Sequence, residues 1–177
     1  EALAFHEGIP GHHMKIAIAK ELEGIPKFRK FGGYTAYIEG WGLYSEFLPK
    51  EFGFYSDPYS DFGRLAMELW RACRLVVDTG IHTKKWTREE GIAYYANNTP
   101  NDMLDCVKMV ERHIVMPSQA TAYKIGMNKI LELRAYAESQ MGEQFDIRKF
   151  HEVVLKDGAV PLNILEDHVY NYIETKN

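Results

Sequence analysis

The segment His6-Glu7-Gly8-Ile9-Pro10-Gly11-His12-His13 places three of the chain's seven histidines beside a carboxylate within eight residues. Such a set suits a zinc hydrolase: neutral imidazole nitrogens bind the ion, and the carboxylate takes a proton from water at its open position. Zincin peptidases write this as H-E-x-x-H on one helix, because a spacing of four returns both imidazoles to one face. Here the residue four after His6 is Pro10. On an unbroken helix His12 would lie roughly 240° round from His6, and His13 would share its face but sit about 10.5 Å further along the axis. Pro10 has no N–H to offer the His6 carbonyl, so the helix must break or bulge within Gly8 to Gly11. Such an insertion can bring His12 round to meet His6 and leave Glu7 aimed at the metal's open position, an expanded His-Glu-His motif. The plainer alternative is that His12 and His13 only open a new helix.

A zinc site with three protein ligands needs a third donor, and Glu39 is the best candidate. It lies in Tyr37-Ile38-Glu39-Gly40-Trp41, where an unpaired carboxylate among aromatic and apolar neighbours would be costly and a cation would neutralise it. Glu46, seven positions later on nearly the same face, is either an acceptor behind the ligands or a solvated residue, and the solvated reading is the simpler one. Gly40 and Gly42 leave room beside this helix for another backbone or a substrate.

Downstream, Arg71, Arg74, Asp78 and His82 recur at spacings of three and four among apolar residues. They form one polar face. Asp78 is expected to orient His82, His82 to stabilise an oxyanion or move a proton, and Arg74 or Arg71 to hold a substrate carboxylate. The same spacing also suits a purely structural ion-pair ladder. Tyr123 resembles the phenol donors that zinc peptidases aim at an oxyanion, and Lys124 is a further anion contact. His113, His151 and His168 lack such company and read as surface or satisfied helix residues.

These groups need a scaffold, and apolar residues recur at helical spacing almost throughout. The fold class is all-α, with about eight helices. They are expected over Met14 to Leu22, Tyr34 to Leu48 (ended by Pro49 and Gly53), and Asp57-Pro58 to about His82. A short helix opens at the capping box Thr87-Arg88-Glu89-Glu90, and another runs from Thr99-Pro100 to about Val115. Ser118 is expected to cap a helix ending near Gly142, followed by helices over Asp146 to Leu155 and Pro161 to Ile173. With no repeat or long linker, residues 1–177 read as a single helical domain.

The chain's 177 residues include 21 basic and 25 acidic, for a formal net charge of −4. Without a cationic run this lacks the electrostatic footprint of a nucleic-acid binder. No apolar stretch reaches the roughly 18 residues that span a bilayer. Cys73 and Cys106, the only two cysteines, read as buried free thiols and exclude a disulfide framework.

Four ordered segments carry a resemblance to the bacterial family catalogued as domain of unknown function 885, whose members look like zincin-type metallopeptidases. They are His6-Glu7-x-x-Pro10-Gly11-His12-His13, Glu39-Gly40-Trp41-x-Leu43-Tyr44-Ser45-Glu46, Arg74-Leu75-Val76-Val77-Asp78-Thr79-Gly80-Ile81-His82, and Pro117-x-Gln119-Ala120-Thr121-x-Tyr123-Lys124-Ile125-Gly126. Ser118 departs from the pattern, where the family usually has Gly. The resemblance implies a gluzincin-like site for one zinc ion, with His6, His12 and Glu39 as ligands and Glu7 as general base. It prefers His12 to His13, leaving His13 and Asp78 as supporting residues. It also implies that the chain is the C-terminal portion of a longer protein whose N-terminal region packs against it, and that members are often exported or lipoprotein-anchored.

The resulting expectation is a zinc-dependent peptide hydrolase, carboxypeptidase- or dipeptidase-like if Arg74 or Lys124 holds a substrate C-terminus. Two rivals use the same residues. One is a zincin-fold binding protein with a weak metal site; the other is a metal-dependent hydrolase of non-peptide amides or esters.

Overall fold

A computed structural model describes residues 1–175. Ten α-helices form the described chain, with two short 3-10 turns and no strand among the described residues: α1 (Ala2–Glu7), α2 (His12–Glu21), α3 (Lys27–Phe31), α4 (Thr35–Glu51), α5 (Pro58–Lys84), α6 (Arg88–Asn98), α7 (Met103–Val115), α8 (Ala122–Met141), α9 (Ile147–Leu155) and α10 (Leu162–Glu174). The all-α expectation holds. No described helix is long and apolar enough to cross a membrane.

Helix starts follow local chemistry. The Asp57 carboxylate accepts from Tyr59 N–H with Pro58 in the first turn of α5, and Thr87 and Glu90 form the reciprocal capping box of α6. Three boundaries differ from the sequence reading. Helix α7 starts at Met103, because Asp102 supplies the cap by accepting from Asp105 N–H. Helix α4 runs through Pro49 to Glu51, since a proline in the last turn removes one bond without blocking the two residues that follow. Ser118 does not cap α8 with its side chain: its φ is +69°, in the left-handed region, which gives a physical reason for a glycine preference there. The five-residue α3, rich in cations, was not anticipated.

Helix α4 is the frame on which the rest is hung. Tyr37, Trp41, Tyr44 and Leu48 form one buried stripe, packed in a core with Met127, Ile130 and Leu133 of α8, Phe150 of α9 and Leu165 of α10. The backbones of α4 and α8 meet at Gly40 and Gly126, where a Cβ on Gly40 would come 2.9 Å from Met127 N and closer still to Gly126. Each helical glycine costs about 1 kcal/mol relative to alanine. Each Leu or Phe fully buried in this core contributes about 1.5–3 kcal/mol, so the close crossing is net favourable. A second core joins α5, α6 and α7 through Trp70, Cys73, Val77, Tyr95, Cys106 and Val110. Both cysteines are buried free thiols.

Candidate metal centre

Glu39, Gly42 and Glu46 lie at i, i+3 and i+7 of α4, so they share a face away from the Tyr37-Trp41-Tyr44 stripe. That face receives His6 from α1 and His12 from α2. The two helices are joined by an insertion whose hydrogen bonds explain the odd spacing: Gly11 N–H donates to Phe5 O at 3.0 Å and Met14 N–H to Gly8 O at 3.4 Å, both reaching back six residues rather than four. Two residues are looped out, so a spacing of six acts as a helical spacing of four. Gly11 is required there, because a Cβ would collide with the carbonyls of Phe5 and His6. Trp41 Nε1 pins the loop by donating to Pro10 O at 2.9 Å.

The consequence is a compact donor set. One ligand atom from each of His6, His12 and Glu39 lies within 4.8 Å of the others. Glu39 Oε2 is 3.7 Å from His6 Nε2 and 3.4 Å from His12 Nε2. Two ligands of a tetrahedral zinc, each at about 2.0–2.1 Å, are about 3.3 Å apart, so this spacing fits that ion with small adjustments. Gly42 makes the approach feasible, since a Cβ there would sit 2.7 Å from His6 Nε2 and 2.9 Å from His12 Cε1.

Glu46 is not solvated. It is 1% exposed, and its Oε1 accepts from His6 Nδ1 at 2.6 Å, so that Nε2 is the ring nitrogen facing Glu39. Sequence alone could not reveal this, because the burial comes from α1 folding over α4. Burial alone would push the His6 imidazole down, but Glu39 and Glu46 outweigh it and hold its pKa up at about 9. Burial would raise Glu39, yet His12 and His6 hold it down at about 2. The cluster thus pairs an anionic carboxylate with a basic imidazole. His12 Nδ1 is buried without a hydrogen-bond partner among the described residues.

Tyr123 borders the cluster, its ring centroid 6.3 Å from that of His6. The Arg74 guanidinium stands 4.5 Å over the Tyr123 ring and Arg71 5.7 Å. Gln119, one of the residues that carry the family resemblance but without an expected role, links them by accepting from Arg74 Nη2 at 3.0 Å and donating from Nε2 to the Tyr123 hydroxyl at 3.2 Å. Its signal was its place four residues before Tyr123. Arg71 also reaches Glu46, at 3.8 Å.

Other expected residues lie elsewhere. Glu7, exposed at the end of α1, is adjacent to His6 in sequence, and its side chain makes no hydrogen bond among the described residues. His13 is exposed, whereas His6 is buried. Asp78 does not orient His82. Its Oδ1 accepts from Ser118 N–H at 3.0 Å and its Oδ2 lies 3.4 Å from His113 Nδ1, because α7 packs on that face of α5. His113, satisfied as expected, is buried and bonds Tyr95 Oη at 2.7 Å. His82 instead meets His113 O at 2.9 Å, about 16 Å along α5 from Arg71 at 1.5 Å per residue. Lys124 is committed to Glu68 rather than free for an anion.

The sequence matches the family model described as a bacterial protein of unknown function, DUF885, over residues 1–169. Among solved structures it is similar to a candidate lipoprotein from Colwellia psychrerythraea, with 46% identity and a TM-score of 0.96 over 99% of this chain and 30% of that one. It is also similar to a candidate lipoprotein of unknown function from Shewanella oneidensis, with 26% identity and a TM-score of 0.87 over 94% of this chain and 30% of that one. The chain therefore spans about 30% of the length of these structures. No curated protein sequence matches it.

Proposed function

Because the chain belongs to the DUF885 family of bacterial proteins of unknown function, its chemistry has to be read from its own side chains, and we propose that it is a zinc-dependent peptide hydrolase. The observation that carries this reading is the convergence of His6, His12 and Glu39 donors within 4.8 Å on three separate helices. Glu46 behind His6 adds the carboxylate-imidazole pairing typical of metal-ligating histidines.

His6, His12 and Glu39 would hold zinc, which would supply a Lewis acid for the scissile carbonyl and acidify a nearby water. Glu7, which follows His6 directly, accepts the proton of the attacking water on its carboxylate and returns it to the leaving amine. Tyr123 accepts from Gln119 on its hydroxyl oxygen, so its O–H remains free to donate to the oxyanion. Arg74 over the ring favours that donor by placing positive charge beside the phenol. Tyr123 is better placed for this role than His82, which is bonded to His113 O.

The reading is tested by exposing purified protein to a peptide library and matched esters, with and without chelator. Peptide cleavage that chelator abolishes and zinc restores is expected. Cleavage indifferent to chelator, or confined to esters, contradicts it.

A further inference from the structure

Between α2, α3 and Ile38 of α4 lies a cavity of about 240 Å³ whose lining holds four cations, Lys15, Lys20, Arg29 and Lys30, and no acidic residue. Phe31 and Ile38 contribute apolar wall. Among the described residues none of the four cations makes an ion pair or side-chain hydrogen bond. Lys15 is the informative one, because it is only 8% exposed. Its Nζ stands 5.8 Å from the Tyr37 ring centroid, a contact that replaces little of the hydration it has lost. Burial lowers the pKa of this ammonium, and only the charge of Glu39 works the other way. A largely buried cation with no carboxylate in ion-pair contact, facing a cavity with three more cations, is built for an anion that arrives from outside.

The cavity's position relates it to the metal centre. Lys15 follows His12 by three residues on α2, about 4.5 Å along the axis, and Ile38 immediately precedes Glu39. One residue of extended peptide advances about 3.3–3.6 Å. We propose that this cavity is a carboxylate subsite that receives the free C-terminus of a peptide, one or two residues beyond the bond held at His6, His12 and Glu39. The subsite makes the enzyme an exopeptidase acting from the carboxyl end, with Lys15 as its central contact and Arg29 and Lys30 as the outer cations. Its catalytic meaning rests on the zinc reading, but anion recognition does not, so the two can fail separately.

The test is a chemical-shift titration of isotope-labelled, metal-free protein with an N-acetyl dipeptide acid, the same dipeptide as its C-terminal amide, and inorganic phosphate. The acid is expected to bind roughly tenfold or more tightly than the amide, the loss typical when one partner of a desolvated charge pair is removed, with shifts centred on Lys15, Arg29 and Lys30. Lys15→Met should erase the preference. Arg29→Gln, at a half-exposed site on a short helix, should reduce it several-fold and covers the case in which the Lys15 variant does not fold. Equal binding of acid and amide, or a preference that survives in both variants, overturns the subsite. Phosphate binding tenfold more tightly than the dipeptide acid overturns the assignment to a peptide end. Absence of zinc binding in a separate titration would remove the hydrolase reading and leave this result intact.

Discussion

The Nδ1 of His6 lies 2.6 Å from Oε1 of Glu46, a carboxylate that is 1% exposed and forty residues away in sequence. This pair fixes which imidazole nitrogen faces Glu39, and so whether the cluster can act as a metal centre. Replacing Glu46 with Gln keeps the shape and removes the charge. Loss of such a partner is expected to weaken zinc affinity by about 10–100-fold, read by competition with a chromophoric chelator. Unchanged affinity would mean that Glu46 serves packing alone.

Glu7 carries a different expectation, because it is placed as proton acceptor rather than as ligand. Glu7→Gln should leave zinc affinity within about twofold while lowering peptide hydrolysis by roughly 10²–10⁴-fold, the span of general-base contributions. Steady-state kinetics on the zinc-loaded variant settles it: retained hydrolysis removes Glu7 from the mechanism.

Gly42 tests the geometry through a single methyl group. Alanine normally stabilises a helix interior by about 1 kcal/mol over glycine, and Gly63 of α5, with open space around its Cβ position, should behave that way in thermal unfolding. At Gly42 the same methyl would sit 2.7 Å from His6 Nε2, so Gly42→Ala should displace the imidazoles and weaken zinc binding by at least about tenfold. Equal behaviour of the two variants, in stability and zinc affinity, would contradict the placement of His6 and His12 against α4.

Stability should depend on pH in two opposed ways. Burial pushes both His113 and His151 down to about 4, with Arg74, His82 and Arg112 adding to the effect at His113 and Arg134 at His151. Around them, His113 faces Asp78 and Tyr95, and His151 faces Tyr44. The unfolded chain takes up these protons near pH 6.5 and the folded chain only near 4, so their contribution is complete above about 6.5 and lost as pH falls towards 4. His6, held up at about 9, works the other way: its contribution is complete below about 6.5 and lost as pH rises through 9. Metal-free protein should therefore show its highest denaturation midpoint near pH 6.5. Zinc should abolish the alkaline loss, since the ion takes the place of the proton on His6. A midpoint that rises steadily from pH 5 to 9 without metal would be inconsistent with these assignments.

Much of this was legible in sequence where chemistry is local. Pro10 and the flanking glycines demanded a break after His6, and the Asp57 and Thr87 caps fell where their side chains indicated. The six-residue return of Gly11 to Phe5 was not legible, because hydrogen-bond register in a loop depends on what packs over it, here Trp41. Glu46 and Asp78 were misread for a related reason. Spacing on one helix names the face a side chain shares, but the partners, His6 and His113, came from helices distant in sequence. The four cations around the cavity carry no signal as single residues, since solvated Lys and Arg are the rule. Only the return of α2 and α3 onto α4 gathers them.

The most direct measurement is the anomalous scattering of zinc from crystals of the protein grown with one equivalent of the ion. A single peak about 2.0–2.2 Å from His6 Nε2, His12 Nε2 and a Glu39 carboxylate oxygen is the predicted result. Its absence from that position, or a peak held by other residues with this triad unliganded, would contradict the account.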